Sequence, residues 1–259
     1  KSNSFCTLLD CPHAALRARA RTHPASVSSL RSLPPPHLHP LTIRACFLLS
    51  VLLLAAAAAS SPTIGTTSSK AAPARVYTSS EPSKPGMQRA TFAAGCYWGT
   101  ERFFRKEFGD GISNVAVGFM GGAVDQPSYR QVCSGQTGHA EVLSFEYDTD
   151  RVKYDDLVWH FFRMHNPTTK DRQGNDVGTQ YRSSIFYHNE EQKAKAEAAI
   201  AVLNDKGNPR GDGLRKAFGA DARVVTTVEK ASDFYPAHEE HQDYLAKNPT
   251  GYCNHRLYW

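Results

Sequence analysis

The stretch Thr91-Phe92-Ala93-Ala94-Gly95-Cys96-Tyr97-Trp98-Gly99-Thr100-Glu101-Arg102-Phe103-Phe104 decides the fold. Its left half is short, apolar and uncharged, which reads as a buried strand. Its right half is amphipathic: Tyr97, Phe104 and Phe108 can share a helical face, and Glu101 and Arg105 stand at i,i+4. Cys96 therefore falls where a strand hands over to a helix. Free N–H groups and the positive end of the helix dipole converge there, and both favour thiolate over thiol. Gly95 permits a tight bend beside the sulfur, and Tyr97 and Trp98 can wall an apolar pocket. A buried, inert thiol is the plainer reading of any single cysteine. The glycine, the aromatic pair and the junction together favour a reactive one.

Working outward, Asn114–Phe119 is a short strand ending at Gly121-Gly122, and Glu141–Tyr147 alternates as a second strand. Tyr154, Leu157, Val158, Phe161 and His165 recur at helical spacing, and Asn166-Pro167 stops that helix. Thr168–Tyr181 has no period and is dense in polar groups, so it reads as a long loop of the kind that carries function. Ser183–Tyr187 is a strand; Asn189 and Gln192 cap a helix running through Leu203, with Ile200 and Leu203 buried; Arg223–Val228 is the last strand. The tail from Asn248-Pro249 cannot continue a helix and is expected to be mobile. Strands and helices interleave without strict alternation. That predicts a mixed α/β, or α+β, single compact domain.

Charge divides the chain. Residues 1–86 carry nine Lys/Arg against two Asp/Glu, and residues 87–259 carry twenty-one against twenty-three. The later part has no basic excess, which gives a nucleic-acid role little support. Three cysteines follow residue 86 (Cys96, Cys133 and Cys253), far apart and without a CxxC pair. This is neither a disulfide scaffold nor zinc-ligand spacing. In front, Ala45–Ala59 is a fifteen-residue apolar run after Arg44 and before Ser60-Ser61-Pro62. It fits a signal-peptide core, or part of an Arg- and Ser-rich transit peptide. With the first methionine at Met87, a mistranslated leader is a third reading. The expected division is an extension over 1–86, disordered and low in complexity, a catalytic domain over 87–246 and a tail over 247–259. The compartment follows from it: plastid, mitochondrion or secretory pathway if 1–86 is genuine, cytoplasm if translation starts at Met87.

A nucleophilic cysteine needs a proton carrier, a pocket and something to stabilise charge. Glu141, Asp176, Tyr129 and Tyr181 are the candidates. A carboxyl group pushed into an apolar pocket has a raised pKa and can donate a proton, and a neutral phenol can hydrogen-bond an oxygen. Taken singly, Glu141 also fits a solvated strand end and each tyrosine a half-buried core position.

Four blocks, in order, carry a resemblance: Gly95-Cys96-Tyr97-Trp98-Gly99, Cys133-Ser134-Gly135-Gln136-Thr137-Gly138-His139-Ala140-Glu141, Gln173 through Ser183, and Gly251-Tyr252-Cys253. Over roughly 87–255 the chain resembles the methionine sulfoxide reductase A family. The resemblance implies a two-layer, ferredoxin-like sandwich and reduction of the S epimer of methionine sulfoxide, free or in proteins, as a repair of oxidative damage. It implies Cys96 as nucleophile and Glu141 as proton donor and acceptor. Tyr129 and Tyr181 hydrogen-bond the sulfoxide oxygen, Asp176 fixes the pocket, and Tyr97 and Trp98 bind the methyl group. Cys96 would become a sulfenic acid, Cys253 would close a disulfide with it, and thioredoxin, or dithiothreitol in vitro, would reduce that disulfide. It implies no bound cofactor and no metal; the sequence carries no oligomeric signal, and a monomer is the default expectation. Tyr97 stands where the family more often has phenylalanine, and no cysteine follows Cys253, which implies one resolving cysteine. Cys133 reads as a structural thiol.

Three rivals fit less well. A papain-like peptidase finds His241 and Asn248 downstream of Cys96, but no glutamine just upstream, and His241 lies in a charged run that reads as a solvated face. His238 and His241 at i,i+3 lack a third ligand for a metal. A turnover-dead thiol sensor would be expected to have lost an acid or a pocket residue, and Glu141, Tyr129, Asp176 and Tyr181 are all present.

Overall fold

The computed structural model describes residues 82–259. The apolar run Ala45–Ala59 and the rest of 1–81 lie outside the described residues. In chain order the elements are β1 (Met87–Ala94), α1 (Tyr97–Phe108), β2 (Ile112–Met120), α2 (Tyr129–Cys133), β3 (Ala140–Asp148), α3 (Tyr154–Met164), β4 (Arg172–Gln173), β5 (Asp176–Val177), β6 (Ser183–Tyr187), α4 (Glu190–Asn204), α5 (Asp212–Phe218), β7 (Thr227–Lys230), β8 (Tyr235–Pro236) and α6 (Tyr244–Lys247).

The main sheet runs β7-β6-β1-β3-β2-β8. Its pairs are antiparallel except β6–β7, which is parallel. The four central strands with α1 after β1 and α3 after β3 make the βαββαβ order of a ferredoxin-like sandwich, as expected. Strand parity sorts the side chains. Ala90, Phe92 and Ala94 of β1 join Leu143, Phe145 and Tyr147 of β3 in the larger core with Phe104, Phe161 and Leu203 from the helices. The opposite face holds a smaller cluster around Ala93, Val142, Phe186 and Phe234 and a polar set in which Arg89 pairs with Glu146 at 2.9 Å. Glu146 also accepts hydrogen bonds from the Ser83 hydroxyl and backbone N–H, so residues ahead of Met87 pack on the sheet. The alternation read over Glu141–Tyr147 therefore separates two covered faces, since every residue from Ala140 to Tyr147 is buried.

Asn189 caps α4 by accepting the Gln192 N–H at 2.9 Å, and Pro167 follows closely on the end of α3, as read from sequence. Four short elements carry too little periodicity to be anticipated: α2, α5, β8 and α6. The last long strand begins at Thr227 rather than Arg223. The loop over 168–181 is irregular, as expected, but contains the β4–β5 hairpin and a 3-10 turn at Thr179–Tyr181.

The tail, expected to be mobile, packs against the domain. The N–H groups of Arg256 and Tyr258 donate to the carbonyls of Met164 and Arg163 at 3.3 and 2.9 Å. Those carbonyls belong to the last turn of α3, which has no partner within its own helix. Arg163 Nε reaches the Trp259 carbonyl at 2.6 Å, and His255 is buried. The tail lacks helical spacing because it serves as a strap that completes another helix.

Candidate active site

The sheet register assembles the site. Phe92 pairs with Leu143 across β1–β3, and Ala94 pairs with Ser183 across β1–β6. Continuing the antiparallel step sets Ala94 beside Glu141 and brings Tyr181, just ahead of β6, toward Cys96. The end of β1 and the starts of β3 and β6 thus share one edge. Cys96 occupies the N-cap position of α1. Gly95, at φ +90°, makes the bend; a Cβ there would also lie 2.5 Å from Gln173, so the position excludes a side chain twice over.

Tyr97, the first residue of α1, donates its backbone N–H to Glu141 Oε2 at 3.1 Å. A helix N-terminus is where a carboxylate is favoured, yet Glu141 is buried, and desolvation pushes its pKa up to about 8. The Tyr97 N–H pulls it down and the charge of Asp176 pushes it further up. Glu141 is therefore mainly a neutral acid at pH 7, which answers the choice left open between a solvated strand end and a pocket acid. Asp176 is fully buried in β5 and accepts a hydrogen bond from Asn254 Nδ2 at 2.9 Å.

Cys96, Tyr97, Trp98 and Tyr181 are buried in one cluster, with Tyr129 and Cys253 packed against it. Cys96 is only 3% exposed, more covered than an aromatic-walled open pocket would leave it. His241, read from sequence as part of a solvated face, and Tyr244, to which that reading gave no role, lie over the aromatic pair. His241 is buried, with its ring 5.7 Å from Tyr97, 5.6 Å from Trp98 and 4.8 Å from Tyr129. Tyr244 stacks on Trp98 at 3.8 Å. The charged neighbours of His241 suggested a solvated face; a 3-10 turn over Glu239–His241 instead leaves the two glutamates outside and turns the imidazole inward. The i,i+3 spacing of His241 and Tyr244 is the only trace of this in the sequence. Among the described residues no group of three or more His, Cys, Asp and Glu is arranged to hold a metal ion.

Cys253 is a half-buried free thiol. Burial pushes its pKa up, while the backbone N–H of His255 and the charge of Arg102 favour its thiolate. Cys133 is buried at the end of α2. A cleft of about 440 Å³ opens beside Trp98, between α1 and α6, lined by Glu101, Arg102, Leu245 and Pro249 among others; Cys96 and Glu141 are not among its walls.

The family model described as peptide methionine sulfoxide reductase matches residues 88–258. The peptide methionine sulfoxide reductase MsrA of Methanothermobacter thermautotrophicus is 47% identical over 166 residues, covering 64% of this chain and 90% of that protein. The MsrA of Nautilia profundicola is 47% identical over 168 residues, covering 64% and 88%. Among solved structures, Mxr1 of Saccharomyces cerevisiae in reduced form superposes with a TM-score of 0.58 at 35% identity, covering 71% of this chain and 96% of that one. Methionine sulfoxide reductase A of Corynebacterium diphtheriae gives 0.54 at 35%, covering 66% and 79%. With a matching family model across the whole sheet and site, and relatives matched over nearly their full length, the chain belongs to the peptide methionine sulfoxide reductases of the A type, which are oxidoreductases.

Proposed function

We propose that this enzyme reduces the S epimer of methionine sulfoxide, free or in proteins, through a sulfenic acid on Cys96 and a disulfide with Cys253. The observation that carries the reading is the buried Glu141 carboxyl, bonded to the first N–H of the helix that Cys96 caps and protonated at neutral pH. A neutral acid beside a thiol at a helix N-terminus can protonate a sulfoxide oxygen while the sulfur attacks.

In this reading the Cys96 thiolate attacks the sulfoxide sulfur and Glu141 gives its proton to the oxygen. The phenols of Tyr129 and Tyr181 hydrogen-bond that oxygen, and Asp176 holds the pocket and adds its charge to the burial that keeps Glu141 protonated. Tyr97 and Trp98 enclose the methyl group. The S–O bond breaks, the thioether leaves and Cys96 carries the oxygen as a sulfenic acid. Cys253 then attacks the Cys96 sulfur and water leaves. Two thiols thus supply the two electrons that reduce the sulfoxide, and thioredoxin restores them. Selection against methionine itself follows, since a thioether leaves the site's donors unpaired.

The test is a single turnover of pre-reduced enzyme, freed of dithiothreitol, with each sulfoxide epimer, followed by intact mass of the enzyme. Consumption of the S epimer alone, with loss of two hydrogens from the enzyme, is expected. Equal use of both epimers, or an enzyme left without a disulfide, overturns the corresponding step.

A further inference from the structure

Whole chains of contact converge on one tail residue that the chemistry above does not use. His255 is buried, and its Nε2 lies 2.7 Å from the carbonyl oxygen of Ala94. A carbonyl only accepts, so Nε2 carries the proton and Nδ1 is bare. Nδ1 has no hydrogen-bond partner in the protein, a cost that a tail serving only as a tether need not bear. The ring also seats on α1: a Cβ built on Gly99 would lie 2.0 Å from Nδ1. Its backbone N–H bonds the Cys253 sulfur. The adjacent Asn254 donates to the Gln173 carbonyl at 2.8 Å and to Asp176 at 2.9 Å.

The spacing gives this arrangement its meaning. Ala94 lies two residues before Cys96, and His255 two residues after Cys253. Two residues of chain span at most ~7 Å. One hydrogen bond therefore fixes how the two cysteine-bearing segments approach each other.

We infer that His255 is a positioning residue for disulfide closure, its Nε2–H bond to Ala94 and its seat on Gly99 holding the Cys253 segment against the strand end that carries Cys96. The inference rests on the reading of Cys253 as the resolving thiol. In the step it serves, the Cys253 sulfur bonds to the Cys96 sulfur and the S–O bond of the sulfenic acid breaks. The hydroxyl leaves as water with the proton of the Cys253 thiol. Cys253 is oxidised, the sulfenic sulfur is reduced, and no further reagent is needed. Holding the partners in place converts a loose encounter into an oriented one.

The experiment is a rapid-quench single turnover of the reduced full-length enzyme with methionine sulfoxide. Methionine release, dimedone-trapped sulfenic acid and disulfide, by intact mass, are followed together. In His255→Ala, disulfide closure falls by at least ~10-fold more than methionine release does, and the dimedone adduct accumulates. His255→Gln, whose amide nitrogen takes the place of Nε2, recovers most of the closure rate; His255→Asn, whose amide takes the place of Nδ1, does not. Closure at the parental rate in His255→Ala overturns the inference. So does an equal loss of both steps, or a Gln variant as slow as Ala. Cys253→Ser separates the two readings: a disulfide that still closes there overturns the resolving role of Cys253 itself.

Discussion

At the scale of single residues, burial decides protonation. Glu141 has its pKa pushed up to about 8 by desolvation. Glu101 is pushed to about 7 by burial, partly offset by Arg105 at 3.1 Å. The folded state of each binds a proton more tightly than an ordinary exposed carboxyl does. Their contribution to stability is thus full below about pH 4.5 and is lost as pH rises through about 7 and 8. Glu141→Gln should keep the fold and slow sulfoxide reduction by ~10²-fold or more, as for the loss of a general acid. It should also flatten the fall in Tm between pH 5 and 9, because the amide never ionises. Single-turnover rates and melting curves across that range check both halves; an unchanged rate removes Glu141 from the chemistry. In the parent enzyme, the rate should drop above about pH 8 as Glu141 loses its proton. The motif made Glu141 visible, but its protonation comes from the layer of α1 over β3.

At the scale of elements, α1 works at both ends of its first turn. Its N-terminus meets Glu141, and Gly99, in its first turn, admits His255. In an ordinary helix interior, alanine for glycine gains ~1 kcal/mol. At position 99 the 2.0 Å approach to His255 outweighs that gain. Gly99→Ala should lower the Tm and expose the tail to proteolysis; a Tm at or above the parent's would show that the ring yields without cost. A cap far from the site should behave differently. Asn189→Ala removes the hydrogen bond to the Gln192 N–H at the start of α4, and should cost ~1 kcal/mol in denaturant unfolding with little change in turnover. The helices legible in the sequence are the long ones, α1 and α3 through their apolar faces and α4 through its Asn189 cap. Elements α2, α5 and α6 are four to seven residues long, too short for a period to declare itself.

At the scale of the molecule, the tail is part of the fold. It completes the last turn of α3, buries His255 and packs Trp259 near Gly213. Ending the chain after Gly251 should lower the Tm by more than ~5 °C, since ~1 kcal/mol moves a domain of this size by ~2–4 °C. Cys253→Ser should leave it nearly unchanged, and equal melting of the two proteins would return the tail to the status of a loose tether. The sequence by itself determined the strand–Cys96–helix junction, the α+β class and, through four spaced motifs, the family. Such features are local: they reside in periodicity, caps and short blocks of adjacent residues that need no partner to be read. Only the tertiary structure decided that Glu141 is buried and neutral, that His241 turns inward among charged neighbours, and that the last residues are strapped down. Each of those depends on which surface folds over which, and that information lies in the sheet register rather than in any run of adjacent residues.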